Sequence, residues 1–145
     1  MRLVVLPVLL SLIGIATVHA EDPDEIDAIK KTAFDYMQAW YQGDAQKMKA
    51  SLHKKLAKRS LVGVSGEPGL RHTTASDMIR YTDIGYGTNL YRKGQKIDVV
   101  VLDYYKNIAS VKVTSPHYYE YLHLAKIDAK WVILNALYEK NNARQ

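Results

Sequence analysis

The sequence predicts an α+β fold, in which helices near the N-terminus pack on a largely antiparallel sheet built from later strands. Two observations carry this prediction. Apolar residues recur at helical spacing between Ile26 and Trp40, and after Gly87 the chain changes to runs rich in Val, Ile, Leu and Tyr. Helices that come first and strands that come later are typical of this class.

The first 20 residues are typical of a secretory signal peptide. Arg2 precedes an apolar run from Leu3 to Val18, which is too short for a membrane span, and Val18 and Ala20 fit the pocket positions of a signal peptidase. We therefore expect cleavage before Glu21 and a periplasmic or secreted protein with no membrane span in its mature chain. An uncleaved membrane anchor is the alternative.

Composition limits the classes of protein that this chain can represent. It contains no cysteine, which excludes disulfides, thiolate metal sites and a lipid anchor on cysteine. Residues 21–145 form one domain of 125 residues, large enough to bury about two-thirds of its unfolded surface. With Arg2 removed, 19 basic residues stand against 15 acidic ones.

Positive charge is concentrated in one basic segment, which carries no acid: Lys47, Lys49, Lys54, Lys55, Lys58 and Arg59. Such a segment could bind an anionic partner, whereas a solvated helix face is the simpler interpretation. We expect no nucleic-acid partner.

Three helices precede the strands. Asp22 can cap the first helix with Pro23 at its first position, and the helix ends near Gly43. Asp44 can cap a second helix that runs to about Leu52. The segment from Lys54 to Leu61 either continues that helix or forms a loop, and an irregular loop follows at Gly63, Gly66, Pro68 and Gly69.

A third helix is predicted to begin near Thr73 or Thr74, with Asp77 completing a capping arrangement. Four strands are then predicted, over Ile97 to Tyr105, Ala109 to Ser115, Tyr118 to Ile127 and Trp131 to Tyr138.

The predicted turn at Lys106 and Asn107 determines the faces of one hairpin. It places Val100, Leu102 and Tyr104 on the face that also holds Ala109, Val111 and Val113. Asp103 then lies on the opposite face with Ser110 and Lys112.

The predicted turn at Asp128 and Ala129 does the same for the last hairpin. One face combines Leu122, Leu124, Trp131, Ile133 and Asn135. The opposite face combines Tyr119, Tyr121 and His123 with Val132, Leu134 and Ala136. A slip of one residue would reverse both assignments.

Three strings carry a resemblance to a known family: YMQAWYQGDAQKMKASLHKKLAKRSL from Tyr36 to Leu61, NIASVKV, and YLHLAKIDAKWVILN. With the order of elements, they resemble the putative lumazine-binding branch of the nuclear transport factor 2-like superfamily. The sequence departs from that branch at Ala129, where Gly is common, and at Glu120, where Asp is more common. The resemblance implies a cystatin-like cone, with the helices packed on a curved sheet, a concave pocket between them, and frequent dimerisation through the sheet.

Applied to this sequence, the resemblance suggests a pocket for an unidentified small apolar or aromatic ligand, without a cofactor. We expect Tyr36, Trp40, Tyr104 and Leu122 to wall the pocket and His53 and Asn135 to supply its polar groups. A core position for the two helix aromatics, a helix-end contact for His53 and an internal hydrogen bond for Asn135 are the structural alternatives.

Two other functions stay open. An isomerase or dehydratase without a cofactor would use Glu120 or His53 for proton transfer, whereas Asp103 is a weaker candidate because its predicted face is polar. A position at the pocket rim, facing water, is the simpler interpretation of Glu120. The other is an interaction module that binds an anionic partner through the basic segment. No metal site is expected, since His123 lacks a second ligand at suitable spacing.

Tyr119, Tyr121 and His123 alternate along one predicted strand face. So much exposed aromatic surface is unusual in a monomer. We therefore expect a homodimer with these three residues at its interface.

Overall fold

The computed structural model describes residues 22–64, 67–91 and 94–141, so the expected signal peptide lies outside the described residues. The helices are α1 Pro23–Gln42, α2 Ala45–Ser51 and α3 Ala75–Asp83, and a 3-10 turn spans Thr88–Leu90. The strands are β1 Leu52–Val64, β2 Glu67–Thr73, β3 Asp98–Tyr105, β4 Ile108–Thr114, β5 Tyr118–Ile127 and β6 Lys130–Lys140.

The predicted helix ends are confirmed. The Asp22 side chain accepts a hydrogen bond from the backbone N–H of Asp24, and α1 ends at Gly43, whose φ of 69° is left-handed. At the start of α3, Thr74 and Asp77 form a capping box. These caps satisfy backbone groups that the helices themselves cannot pair.

The six strands form one sheet in the order β2-β1-β6-β5-β4-β3. Among the strand pairings of the described residues, the β1–β6 pairing is parallel and the other four are antiparallel. The helices cover one face, which we call the inner face, and the opposite face is called the outer face. The predicted α+β, cystatin-like fold is confirmed. Within the described ranges, no helix combines the length and hydrophobicity needed to cross a bilayer.

The prediction for residues 54–73 is wrong, because this part of the chain forms the β1–β2 hairpin rather than a helix and loop. Positions alternate between the two faces along β1, so Lys58 and Ser60 are buried while Arg59 and Leu61 are exposed. The pattern was hard to detect because the buried positions of this strand include polar residues.

The first predicted hairpin has the expected turn, with Tyr105 paired to Ile108. The predicted faces of some of its side chains, however, are wrong. A bulge at Leu102 shifts the register, so Val99 and Val101 turn inward while Val100 and Leu102 are exposed. Tyr104 keeps the predicted face, opposite Ala109, and Asp103 is exposed as expected.

A second bulge, at Leu134 in β6, corrects the prediction for Asn135. Asp128 and Ala129 form the expected turn, and Leu124 pairs with Ile133, but beyond the bulge His123 pairs with Asn135 and Leu122 pairs with Ala136. Asn135 therefore lies on the outer face and is exposed, whereas Ala136 is buried in the core.

Candidate functional site

A small cavity lies between α1, α3 and the inner face of the sheet. Its volume is about 30 Å³. Eight residues line it: Tyr36, Met37, Trp40, Lys58, Met78, Tyr118, Glu120 and Tyr138. Because a buried site of about 10–15 Å³ already holds a water molecule, this cavity accommodates about one water beside its polar groups.

Three polar side chains meet at this cavity and form a closed set of hydrogen bonds. Lys58 Nζ donates to Glu120 Oε2 at 2.7 Å and to the Tyr36 hydroxyl at 2.6 Å, and the Tyr36 hydroxyl donates to Glu120 Oε2 at 3.0 Å. Lys58, Glu120 and Tyr36 are 5%, 1% and 1% exposed. A carboxylate and an ammonium thus form an ion pair inside the protein.

Register explains why these groups meet. On one side of β6, Glu120 of β5 pairs with Tyr138, and on the other side Ser60 of β1 pairs with the same residue. Lys58 lies two positions before Ser60 and therefore shares its face. Lys58 and Glu120 thus reach the inner face on either side of β6. Lys58 Nζ also lies 4.0 Å from the centre of the Tyr138 ring, within the range of a cation–π interaction. α1 contributes Tyr36 from above.

Glu120 is buried, whereas the simpler sequence interpretation placed it at a rim facing water. That interpretation is wrong because Lys58 also faces inward and compensates the buried charge of Glu120. Both hydrogen bonds to this carboxylate go to Oε2. Among the residues that the structure describes, none donates to Oε1.

Two phenols at the cavity, those of Tyr36 and Tyr118, have raised pKa values. The pKa of Tyr36 is raised well above its usual value, mainly by burial and to a smaller extent by the negative charge of Glu120. Burial also raises the pKa of Tyr118 to about 12. Both hydroxyls are therefore neutral at physiological pH.

Trp40 forms an edge-to-face contact with Tyr118, with ring centres 6.3 Å apart. Its Nε1 is buried near the Tyr118 hydroxyl but makes no hydrogen bond of normal geometry within the described part of the chain. Gly87 packs tightly behind it: a Cβ at Gly87 would lie 2.2 Å from the Trp40 carbonyl oxygen. This contact fixes one wall of the cavity.

Of the six predicted ligand contacts, the structure brings Tyr36 and Trp40 to the cavity. His53 is half-buried in β1, where Nδ1 accepts a hydrogen bond from the Lys55 backbone N–H at 3.2 Å. The Tyr104 hydroxyl accepts one from the Asp22 backbone N–H at 2.7 Å. Leu122 is buried in the core and Asn135 lies on the outer face. The ligand contacts of all six stay predictions.

Lys58 is the charged cavity residue that was not predicted from the sequence, and the other lining residues that were not predicted are Met37, Met78, Tyr118 and Tyr138. Lys58 was counted within the basic segment, whose charge was expected to face solvent. Its place next to Leu56 and Ser60 in an alternating pattern was the signal that could have identified it. Among the described residues, no group of three His, Cys, Asp or Glu side chains could hold a metal ion.

The outer face carries a shallow groove of about 640 Å³ between β1, β3, β4, β5 and β6. Arg59, Leu102, Tyr121, His123, Asn135 and Leu137 are among its lining residues. Tyr119 and Tyr121 are 37% and 49% exposed and their rings contact each other edge to face. Their predicted role at a dimer interface stays a prediction.

Comparison with known proteins identifies relatives of the whole domain. A family model described as "putative lumazine-binding" matches residues 24–139. No curated protein matches the chain.

Solved structures share the fold. An NTF2-like protein of unknown function from Shewanella baltica is 15% identical, with a TM-score of 0.64 over 84% of this chain and 98% of its own. One from Methylobacillus flagellatus is 21% identical, with a TM-score of 0.63 over 83% and 95%. A ketosteroid isomerase-like protein from Erwinia carotovora is 15% identical, with a TM-score of 0.56 over 82% and 98%.

Proposed function

Because the chain belongs to the family described as putative lumazine-binding, we propose that it binds a small, uncharacterised apolar or aromatic ligand in the inner cavity. One observation carries the proposal: a lysine–glutamate pair is buried beside the cavity. A buried ion pair rarely stabilises a protein more than well-packed apolar residues of the same size. Placing one beside a cavity therefore favours a role in recognition over a role in stability.

The walls suit a flat ligand. Trp40, Tyr118 and Tyr138 present aromatic surface, and the Lys58–Glu120 pair forms the polar floor. Lumazine, which the family description names, is a flat two-ring molecule with both polar and apolar surface. It is a suitable first ligand to test.

The cavity must enlarge before such a ligand can enter. Pockets for ligands of this kind usually measure about 300–1,000 Å³, far more than the present cavity. Met37 and Met78 line the space between the helices, and methionine side chains reorient readily because they are unbranched. Their movement is the simplest route to a larger pocket.

Mass spectrometry of the natively purified protein tests the proposal directly. We expect a bound compound that is retained under native conditions and released on denaturation. Substitution Tyr118→Leu should reduce its occupancy, whereas Tyr86→Leu, at an exposed tyrosine outside the cavity, should not. Absence of any compound, together with no thermal stabilisation by added lumazine, would contradict the proposal.

A second candidate function is proton transfer by Glu120, as in an isomerase or dehydratase without a cofactor. The hydrogen bond between Glu120 and Tyr36 favours it, because such chemistry needs a base and a neighbouring hydroxyl. The carboxylate of Glu120 lies at the cavity, within hydrogen-bond distance of Tyr36, so Glu120 has the position that a base would need. Turnover of a ligand recovered from the protein, lost in Glu120→Gln, would distinguish this function from binding alone.

The anionic-partner hypothesis has less support, because Lys58, one member of the basic segment, points into the protein. We also propose export, on the evidence of the N-terminal apolar run. The intact mass of the protein recovered from outside the inner membrane should correspond to a chain that begins at Glu21. Dimerisation through the outer face is the remaining proposal and is tested below.

A further inference from the structure

We propose that the cavity selects uncharged ligands that donate a hydrogen bond to Glu120 Oε1. This inference rests on the proposed function and specifies the chemical class of its ligand. The donors and acceptors that remain available on the three buried polar side chains determine this class.

Two of the three donors of Lys58 are occupied within the protein, and an aromatic ring lies against the ammonium group. An ammonium group carries three N–H bonds. One donates to Tyr36 and one to Glu120 Oε2, and the face of the Tyr138 ring lies 4.0 Å from the nitrogen, where a cation–π interaction stabilises the ammonium group. The hydroxyl hydrogen of Tyr36 is also occupied, because it is donated to Glu120 Oε2.

Glu120 keeps an acceptor. An ionised carboxylate has two acceptor oxygens, and here both protein donors use Oε2. Glu120 itself lines the cavity. The polar group that the ion pair can still offer a ligand is therefore a negatively charged acceptor, which requires an N–H or O–H donor.

The charge balance of the site disfavours ions of both signs. The Lys58–Glu120 pair is neutral as a unit. An anionic ligand would meet the open carboxylate oxygen, and a cationic ligand would meet the Lys58 ammonium, 2.7 Å from the same carboxylate. Each would lose its hydration without gaining an opposite charge, because both protein charges already neutralise each other.

The net charge of the chain is +5, which by itself favours an acidic ligand. Long-range positive potential can attract anions to the surface. At the cavity, however, the groups within contact distance decide which compound is retained.

Four monosubstituted benzenes of similar size test the inference: benzyl alcohol, methyl benzyl ether, benzylammonium and benzoate. Their binding to the purified protein can be measured by ligand-observed NMR titration. We expect benzyl alcohol to bind about tenfold to a hundredfold more tightly than the ether, because only the alcohol donates to the carboxylate. Both ions should bind more weakly than the alcohol.

Two variants should reverse the preference. Lys58→Met leaves the carboxylate unpaired and should favour benzylammonium, whereas Glu120→Gln leaves the ammonium unpaired and should favour benzoate. Lys55→Met, at an exposed lysine of the same strand, is the matched control and should keep the preference for the alcohol.

The outcomes separate this inference from the proposed function. Equal binding of alcohol and ether, or tightest binding of either ion to the unchanged protein, overturns the inference and leaves the proposed function standing. Failure of all four compounds to bind also overturns the inference, whereas the proposed function is decided separately by the mass spectrometry of the natively purified protein. If the variants do not fold, the comparison of the four compounds on the unchanged protein still decides.

Discussion

Lys58 Nζ lies 2.7 Å from Glu120 Oε2, although 62 positions separate the two residues in the sequence. Their pairing joins β1 to β5 across β6 beneath the helices. Removal of one partner leaves the other as an unpaired charge in the interior. We expect Lys58→Met to lower the free energy of unfolding by about 3–5 kcal/mol in urea denaturation.

The double variant Lys58→Met/Glu120→Leu should recover most of this loss, because no buried charge is left unpaired. Lys31→Met provides the control, since Lys31 forms an exposed pair with Asp35 on α1 and its removal should cost about 1 kcal/mol or less. A double variant less stable than either single variant would contradict this account of the pair.

Gly87 should not tolerate a side chain. Gly87→Ala places a methyl group against the Trp40 carbonyl oxygen, and the backbone must move to accommodate it. We expect a loss of about 1–3 kcal/mol in stability with a changed near-UV signal from Trp40. Gly94→Ala has open space around the new methyl and serves as the comparison, although its φ of 90° adds backbone strain. An unchanged near-UV signal in Gly87→Ala would argue against the close packing.

The bulge at Leu134 predicts opposite responses at two neighbouring positions. Asn135→Ala should change stability by about 0.5 kcal/mol or less, because Asn135 is exposed on the outer face. Ala136→Asn should cost at least about 2 kcal/mol, because it inserts a larger polar group at a position that is 3% exposed. Thermal unfolding measures both, and a larger effect at Asn135 would contradict the observed register.

Alkaline pH should destabilise the folded protein through its buried phenols. Tyrosines of the unfolded chain ionise near pH 10, whereas Tyr118 in the folded state has a pKa of about 12 and the pKa of Tyr36 is also raised. The unfolded state therefore loses protons first. The stability that these groups contribute is complete below pH 10 and falls as the pH rises through the folded-state pKa values.

Denaturant midpoints between pH 8 and 12 measure this loss. Tyr118→Phe should make the decline shallower, because the protein then has one fewer phenol that ionises only on unfolding. A control substitution, Tyr86→Phe, removes an exposed phenol and should leave the decline unchanged. An equal slope in all three proteins would contradict the effect of burial.

The outer face should mediate dimerisation. Tyr121 and Leu137 pair across β5 and β6 and are 49% and 51% exposed, so they provide apolar surface for a second copy. We expect light scattering to give a dimeric mass, and Leu137→Glu to convert it to the monomer. Ile84→Glu, at an exposed residue beyond α3, should leave the mass unchanged. A monomeric mass for the unchanged protein would overturn the dimer proposal.

Local signals made much of the fold predictable. Helix caps at Asp22 and Thr74 and the turn at Asp128 depend on residues close in sequence, and each was found where predicted. The β1–β2 hairpin was missed because polar residues occupy its inward-facing positions. Such a polar sequence is also typical of a surface helix, and only the residues that contact these positions in the fold distinguish the two. The bulges at Leu102 and Leu134 also depend on pairing between strands, which no local pattern specifies.

The candidate site was only partly predictable for the same reason. The apolar stripe of α1 identified Tyr36 and Trp40 as inward-facing. Glu120 was considered but placed at the rim, and Lys58 was missed. Each of these charged residues is compatible with burial only because of the other, so neither could be assigned from its own neighbours.

The parallel pairing of β1 with β6 has a consequence for how the chain folds. Ala57 pairs with Asn135, so this contact closes a loop that contains most of the domain. Closing long loops slows folding, since the entropy of the intervening chain is lost before the contact forms. Until the last strand has left the ribosome, β1 has no neighbour on that side and Lys58 has no complete site. The C-terminal strand thus sets the earliest moment at which the cavity can exist.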